Sequence, residues 1–209
     1  MVELERREKE VKVPLRYQMT EYDCGTESVM NALSYVFERE DILADLLRIV
    51  FRQTLDEMGE DGHVGDGGTS RGAMGQLTGF INDYAIENKF PIHAEHITGE
   101  AVTEELLRNR TGENSAIVAG VWLTTFEHYV LITKIEHDKV YIFDPYYVDK
   151  KRYDNDEMVE IVPDAPKTHN RIVKIDRLMG TEKDLCMGEV DRREVLVILR
   201  GWSQKEDEK

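Results

Sequence analysis

The chain has 209 residues, with 42 Asp+Glu against 27 Lys+Arg and a formal charge of −15. That balance excludes a nucleic-acid binder, which needs a basic face to neutralise phosphates; the short run Lys150-Lys151-Arg152 reads as solvated surface. At 41% hydrophobic residues the chain can bury a sizeable core, which excludes bulk disorder, and its longest uncharged stretch, 13 residues from Asn114 to Phe126, is too short for the roughly 20 of a spanning helix.

No secretory signal opens the sequence, so the expected location is cytoplasmic. From Cys24 onward, Val29, Ala32, Leu33, Val36 and Phe37 follow the spacing of a helix with one buried stripe. Ile42, Leu43, Leu46, Leu47 and Val50 predict a second helix over 41–52, packed on the first. The stretch 59–68 is rich in glycine and reads as a flexible loop, used as a mobile lid; Thr69 or Ser70 then caps a third helix carrying Met74, Leu77, Ile81, Tyr84 and Ala85. Thereafter the pattern is mainly β. Strands are expected at 91–97, 116–123, 128–135, 139–143, 171–176 and 194–200, with a short helix at 100–108. Residues 146–170 read as a long excursion from the sheet.

Helices first and strands afterwards predict an α+β fold, an N-terminal helical lobe packed on a mainly antiparallel sheet. The expected organisation is one domain over 13–203, helical over about 13–90 and mainly β over about 91–203, between flexible termini at 1–12 and 204–209.

Cys24 sits at the start of a helix, where free N–H groups and the positive end of the dipole favour a thiolate. It reads either as a nucleophile or as a small buried hydrophobe. Gln18, six residues upstream, reads either as a surface residue or as an amide donor folded back beside the sulfur, joining the Cys24 N–H in an oxyanion hole. His128 opens an apolar strand and is the candidate base; the alternative is a strand-end histidine. Asp144 ends the partner strand before Pro145, at the same end of the hairpin, where it could orient an imidazole. Sharing a face requires either a three-residue turn at 136–138, which sets His128 opposite Tyr146, or a bulge, because a one-residue slip reverses every side chain. Asp23 must turn away from the sulfur or bond backbone N–H groups. His128 is the one evident local cation.

Two other clusters carry less chemistry. His93 and His96 are three apart on a strand and face opposite ways, a poor chelate; Asp61, His63 and Asp66 read as turn residues rather than a cation site. Cys24 and Cys186 lie far apart in unlike surroundings, so no disulfide framework is expected, and Cys186 reads as a packing residue. Trp122 reads as core, while Tyr146 and Tyr147 could line a cleft.

The segments Gln18-Met-Thr-Glu-Tyr-Asp-Cys24-Gly25, His128-Tyr-Val-Leu-Ile and Val140-Tyr-Ile-Phe-Asp144-Pro145, in that order, resemble the peptidase domain of bacteriocin-processing, double-glycine-leader cysteine peptidases and their papain-like relatives. The resemblance spans roughly 13–147. It implies a papain-like fold, nucleophile Cys24, base His128, orienting Asp144 and oxyanion donor Gln18, with no cofactor and no metal. The implied partner is a peptide or small amide substrate, with no nucleic acid and no membrane span; the substrate-binding residues and the oligomeric state are left open. The implied activity is cleavage of a peptide or related amide bond through a thioester acyl-enzyme; the alternatives are an acyl transferase, or a non-catalytic peptide-binding module, since the wider group also contains domains that have lost the cysteine. The chain departs from its relatives at Thr26-Glu27-Ser28, where small or apolar residues are usual.

Overall fold

The computed structural model describes residues 13–123, 126–163, 165 and 167–201, with the backbone alone at Lys150. The expected flexible termini at 1–12 and 204–209 lie outside these residues. Three helices come first: α1 (Cys24–Val36), α2 (Ala44–Gln53) and α3 (Arg71–Asn88). All five stripe positions expected of α1 are buried. Ser70 caps α3, its hydroxyl accepting the Ala73 N–H at 3.0 Å, and the expected apolar face of α3 is buried as well. The second helix begins at Ala44 rather than residue 41, leaves Leu43 exposed, and lies against α3 as well as α1.

Between α2 and α3 the glycine-rich stretch departs from the expected loop. Strands β1 (Glu57–Met58) and β2 (Val64–Gly68) pair antiparallel as a small hairpin. The remaining strands are β3 (Ile92–Thr98), β4 (Ser115–Leu123), β5 (Phe126–Glu136), β6 (Lys139–Phe143), β7 (Val159–Ile161), β8 (Arg171–Lys174) and β9 (Glu194–Arg200), with short helices α4 (Glu104–Asn109) and α5 (Ile175–Leu178) among them. They form one sheet in the order β3-β9-β4-β5-β6-β8-β7, every pair antiparallel. Two expectations are trimmed: the strand read at 171–176 ends at Lys174 where α5 takes over, and the excursion at 146–170 carries the edge strand β7.

The continuous apolar runs of β4, β5 and β9 follow from burial on both faces. Ala116, Val118, Leu131, Leu196 and Ile198 pack under α1–α3. Their neighbours Ile117, Ala119, Val130, Ile132, Val195 and Val197 point into a second core with Leu107, Leu178, Leu185 and Met187. The α+β expectation, helices packed on an antiparallel sheet, therefore describes the molecule, with a second apolar layer added on the far side of that sheet. No helix among the described residues is long and apolar enough to cross a membrane.

The β5–β6 hairpin sets the register that the site needs. Its turn has two residues, with Glu136 paired to Lys139 and His137 in the left-handed region at φ 52°. The three-residue turn is therefore absent, and a bulge takes its place: Lys134 pairs with Tyr141 but Ile132 with Ile142, leaving Thr133 as the extra residue. Beyond the bulge Leu131 pairs with Phe143, which carries His128 toward Tyr146 and beside Asp144.

Burial predicts where stability resides. Leu33→Ala, at a fully buried position of α1, should lower the unfolding free energy by about 2–5 kcal/mol in urea titrations. Phe51→Ala, at a side chain 56% exposed on α2, should change it by less than about 0.5 kcal/mol; similar losses at both sites would contradict the packing described.

Candidate active site

Cys24 is the first residue of α1 and is buried, 9% exposed. The residue before it, Asp23, turns its carboxylate back to accept the Met19 N–H at 3.1 Å, the Thr20 N–H at 2.9 Å and the Thr20 hydroxyl at 2.7 Å. Its charge is thus spent on the 19–23 turn, as expected, and the free amide end of α1 is left to the sulfur. Gly25 follows because a Cβ there would stand 2.8 Å from Thr69. The missing side chain lets α1 run close past the segment that begins α3.

His128, on β5, is 2% exposed, and its Nε2 lies 2.8 Å from Asp144 Oδ1. Asp144 follows β6 and is 1% exposed; the same Oδ1 also accepts the Tyr146 N–H at 2.8 Å. Asn170 fixes the backbone around it, its Oδ1 accepting the Asp144 N–H and its Nδ2 donating to the Asp144 carbonyl, both at 2.8 Å. The rings of Phe126 and Tyr146 stand nearly perpendicular to the imidazole, at centroid distances of 6.5 and 6.2 Å. Burial works against a charged imidazole here. The Asp144 charge, its hydrogen bond and the neighbouring Cys24 outweigh it and push the His128 pKa up to about 10. With Nε2 engaged by Asp144, Nδ1 is the ring nitrogen left for the sulfur.

Helix and strand are tied together directly. The Ser28 hydroxyl, one turn along α1 from Cys24 and fully buried, donates to the Tyr129 carbonyl at 2.9 Å. Thr26 donates to the Thr54 hydroxyl at 2.8 Å, joining α1 to the end of α2. Thr26 and Ser28 thus become bonds between elements. Tyr129 in turn donates from its phenol to Glu194 Oε1 at 2.6 Å, and Glu194 also meets His96 at 2.9 Å and Arg71 at 3.5 Å. Burial, followed by the Glu194 charge, holds the Tyr129 phenol far above its usual range.

Cys24 and His128 open on a cleft of about 860 Å³. Gln18 lines it, held by its backbone N–H on the Pro145 carbonyl at 3.0 Å, so its chain segment runs beside that of Asp144. Its side-chain amide donates to the Thr20 carbonyl at 2.7 Å. The structure therefore brings together all four expected residues, with the Gln18 amide turned onto its own loop. Trp122 corrects the expectation of a core residue: it is half-buried and lines the cleft, because its strand ends at the rim, where Gly188 packs against the indole. Tyr146 lines the cleft and Tyr147 is exposed, edge-on to Tyr17. The hairpin β1–β2 forms one wall through Glu57, Asp66, Gly67 and Gly68.

Arg71 and Arg192 are also at the cleft, so His128 is not its one cation; each is matched by a carboxylate, Glu194 and Glu127. Sequence reasoning missed Ser28, Asn170, Arg171 and Glu194. A hydroxyl four residues after the cysteine on the buried face of the helix was a usable signal for Ser28. The other three are brought in by long-range pairing and left no local mark. Cys186 is a free thiol buried far from Cys24 in the chain, next to Trp122 across a single bridge. Among the described residues no group of three His, Cys, Asp or Glu side chains is arranged to hold a metal ion. His93 faces Glu95 and His96 faces Glu194, on opposite sides of β3.

A family model described as "Peptidase_C39 like family" matches residues 10–162. A search of curated proteins finds no match. Among solved structures the chain is similar to a double-glycine-motif protease from an AMS/PCAT transporter, solved in complex with the leader peptide, at 16% identity and a TM-score of 0.45, covering 92% of this chain and 94% of that one.

The raised His128 pKa has a signed consequence. The folded state keeps the imidazole proton to about 10, whereas an unfolded histidine releases it near 6.5. Stability from this group is complete below about 6.5 and is lost as pH rises toward about 10. The urea midpoint of the native protein should fall across that window, and His128→Gln should flatten the fall; equal slopes in the two proteins would contradict the buried imidazolium.

Proposed function

Because the chain belongs to the Peptidase_C39-like family, we propose that it is a cysteine-dependent hydrolase that cleaves a peptide or related amide bond through a thioester at Cys24. The observation that carries the reading is the buried His128–Asp144 pair, 2.8 Å apart, meeting a cysteine at a helix N-terminus in an open cleft.

The Cys24 sulfur attacks the substrate carbonyl carbon, forming a C–S bond. Negative charge moves to the carbonyl oxygen, where the Cys24 N–H, which needs no partner inside α1, can donate to it. The Gln18 amide stands on the same cleft wall and carries two hydrogens, one of them on Thr20. The second hydrogen, or a rotation of the amide off Thr20, supplies the other donor. His128 gives its Nδ1 proton to the leaving amine as the C–N bond breaks, and the thioester remains. The neutral imidazole then takes a proton from water, whose oxygen attacks the thioester. The acid product leaves and the sulfur is restored. Asp144 keeps the ring turned and offsets its charge throughout, a role that its hydrogen bond to Nε2 suits.

Mixing the protein with a mixture of short peptides should give new cleavage products and an acylated Cys24 peptide by mass spectrometry. Cys24→Ala should abolish both. His128→Ala should slow cleavage by about 10²–10⁴-fold, and Gln18→Ala by about 10²–10³-fold. Transfer of the acyl group to added amines in preference to water would identify an acyl transferase. Retention of peptides without cleavage or acylation would leave only the binding module.

A further inference from the structure

The proposed chemistry does not use the buried charge that lies directly behind Asp144. Arg171 begins β8 and is 2% exposed. Its Nη1 donates to the Asn170 carbonyl and its Nη2 to the Tyr146 carbonyl, both at 3.1 Å, while Nη2 stands 3.7 Å from Asp144 Oδ2. The two Asp144 oxygens are unlike. Oδ1 accepts from His128 and Tyr146, whereas Oδ2 accepts no hydrogen bond among the described residues and faces the guanidinium. The Arg171 Nε is likewise without a hydrogen-bond partner among them.

A guanidinium cannot release its proton to escape burial, so it must be matched by an anion. A carboxylate out of water is likewise costly unless cations or donors meet it. Around Asp144 those groups are His128 from β5, Arg171 from β8 and the Tyr146 N–H, with the Tyr153 phenol close enough to feel its charge. Cys24, His128, Asp144 and Arg171 thus make a buried row of alternating sign once the sulfur is a thiolate. Arg171 does not line the cleft and acts on the reaction only through the groups it holds, Asp144 and the Tyr146 backbone.

Resting on the reading of Cys24, His128 and Asp144 above, we infer that Arg171 is a positioning residue that holds the Asp144 carboxylate aimed at His128 by facing its second oxygen. Its loss would leave the carboxylate unmatched at its rear and free to turn, and the imidazolium would lose its support.

The test uses the full chain and iodoacetamide as the probe, with Cys24 and Cys186 alkylation followed separately by peptide mass spectrometry. Arg171→Gln, which removes the charge and leaves a polar amide, should slow Cys24 alkylation on the order of tenfold. Arg171→Lys, which keeps the charge, should stay within about twofold of the native rate. In an Asp144→Asn background Arg171→Gln should add no further slowing, because the coupling partner is gone. A purely structural role would give the same slowing in both backgrounds and no rescue by lysine, and that result overturns the inference. If Asp144→Asn does not fold, the contrast between glutamine and lysine decides alone. A native Cys24 that reacts no faster than Cys186 overturns the catalytic reading and this inference together. Fast native labelling left unchanged by Arg171→Gln overturns only the role of Arg171.

Discussion

A charged imidazole kept from water needs a carboxylate against it, and the molecule is arranged around meeting that need at one point. His128 and Asp144 are nearly inaccessible and share a 2.8 Å hydrogen bond. Removing one partner of such a pair typically costs about 3–5 kcal/mol, because the other is left buried and unmatched. The elements around the pair therefore have little latitude. Asn170 brackets the Asp144 backbone, Arg171 closes the rear, and the Ser28 hydroxyl on the Tyr129 carbonyl sets how far α1 can stand from β5. Cys24 reaches His128 because that distance is fixed four residues further along the same helix.

The bulge at Thr133 belongs to the same constraint. A regular ladder from the two-residue turn would pair Asp144 one step out of phase with His128 and set their side chains on opposite faces. One extra residue on β5 restores the phase. The Thr133 hydroxyl bonds the Tyr141 carbonyl at 3.3 Å and its carbonyl accepts the Tyr35 phenol from α1, also at 3.3 Å, so the bulge is held from both sides. A local irregularity in the hairpin thereby becomes a condition for the chemistry proposed at its far end.

Much of this was legible in the amino-acid order because it rests on local periodicity. The stripe of α1, the Ser70 cap of α3 and the apolar runs of β4 and β9 each follow from short-range spacing, and so did the choice of Cys24, His128 and Asp144. What was not legible depends on contacts between distant segments. Nothing near Glu194 says that β9 inserts between β3 and β4, and nothing near Asn170 says that it clamps a residue 26 positions earlier. The glycines at 59–68 permit a loop and a hairpin equally, and cross-strand pairing chooses the hairpin. Trp122 looks like core from its neighbours, and becomes cleft wall because the strand ends at the sheet's rim.

The central claim is that a sulfur carried by the helices and an imidazole carried by the sheet stand within reach of one another in the native fold. A reagent with two alkylating carbons, such as dibromoacetone, tests this directly when added at one equivalent and followed by digestion and mass spectrometry. The account predicts a single bridge joining Cys24 to His128 that forms in the native protein and disappears in urea. Alkylation of Cys24 with no bridge to His128, or a bridge to another residue, would contradict it.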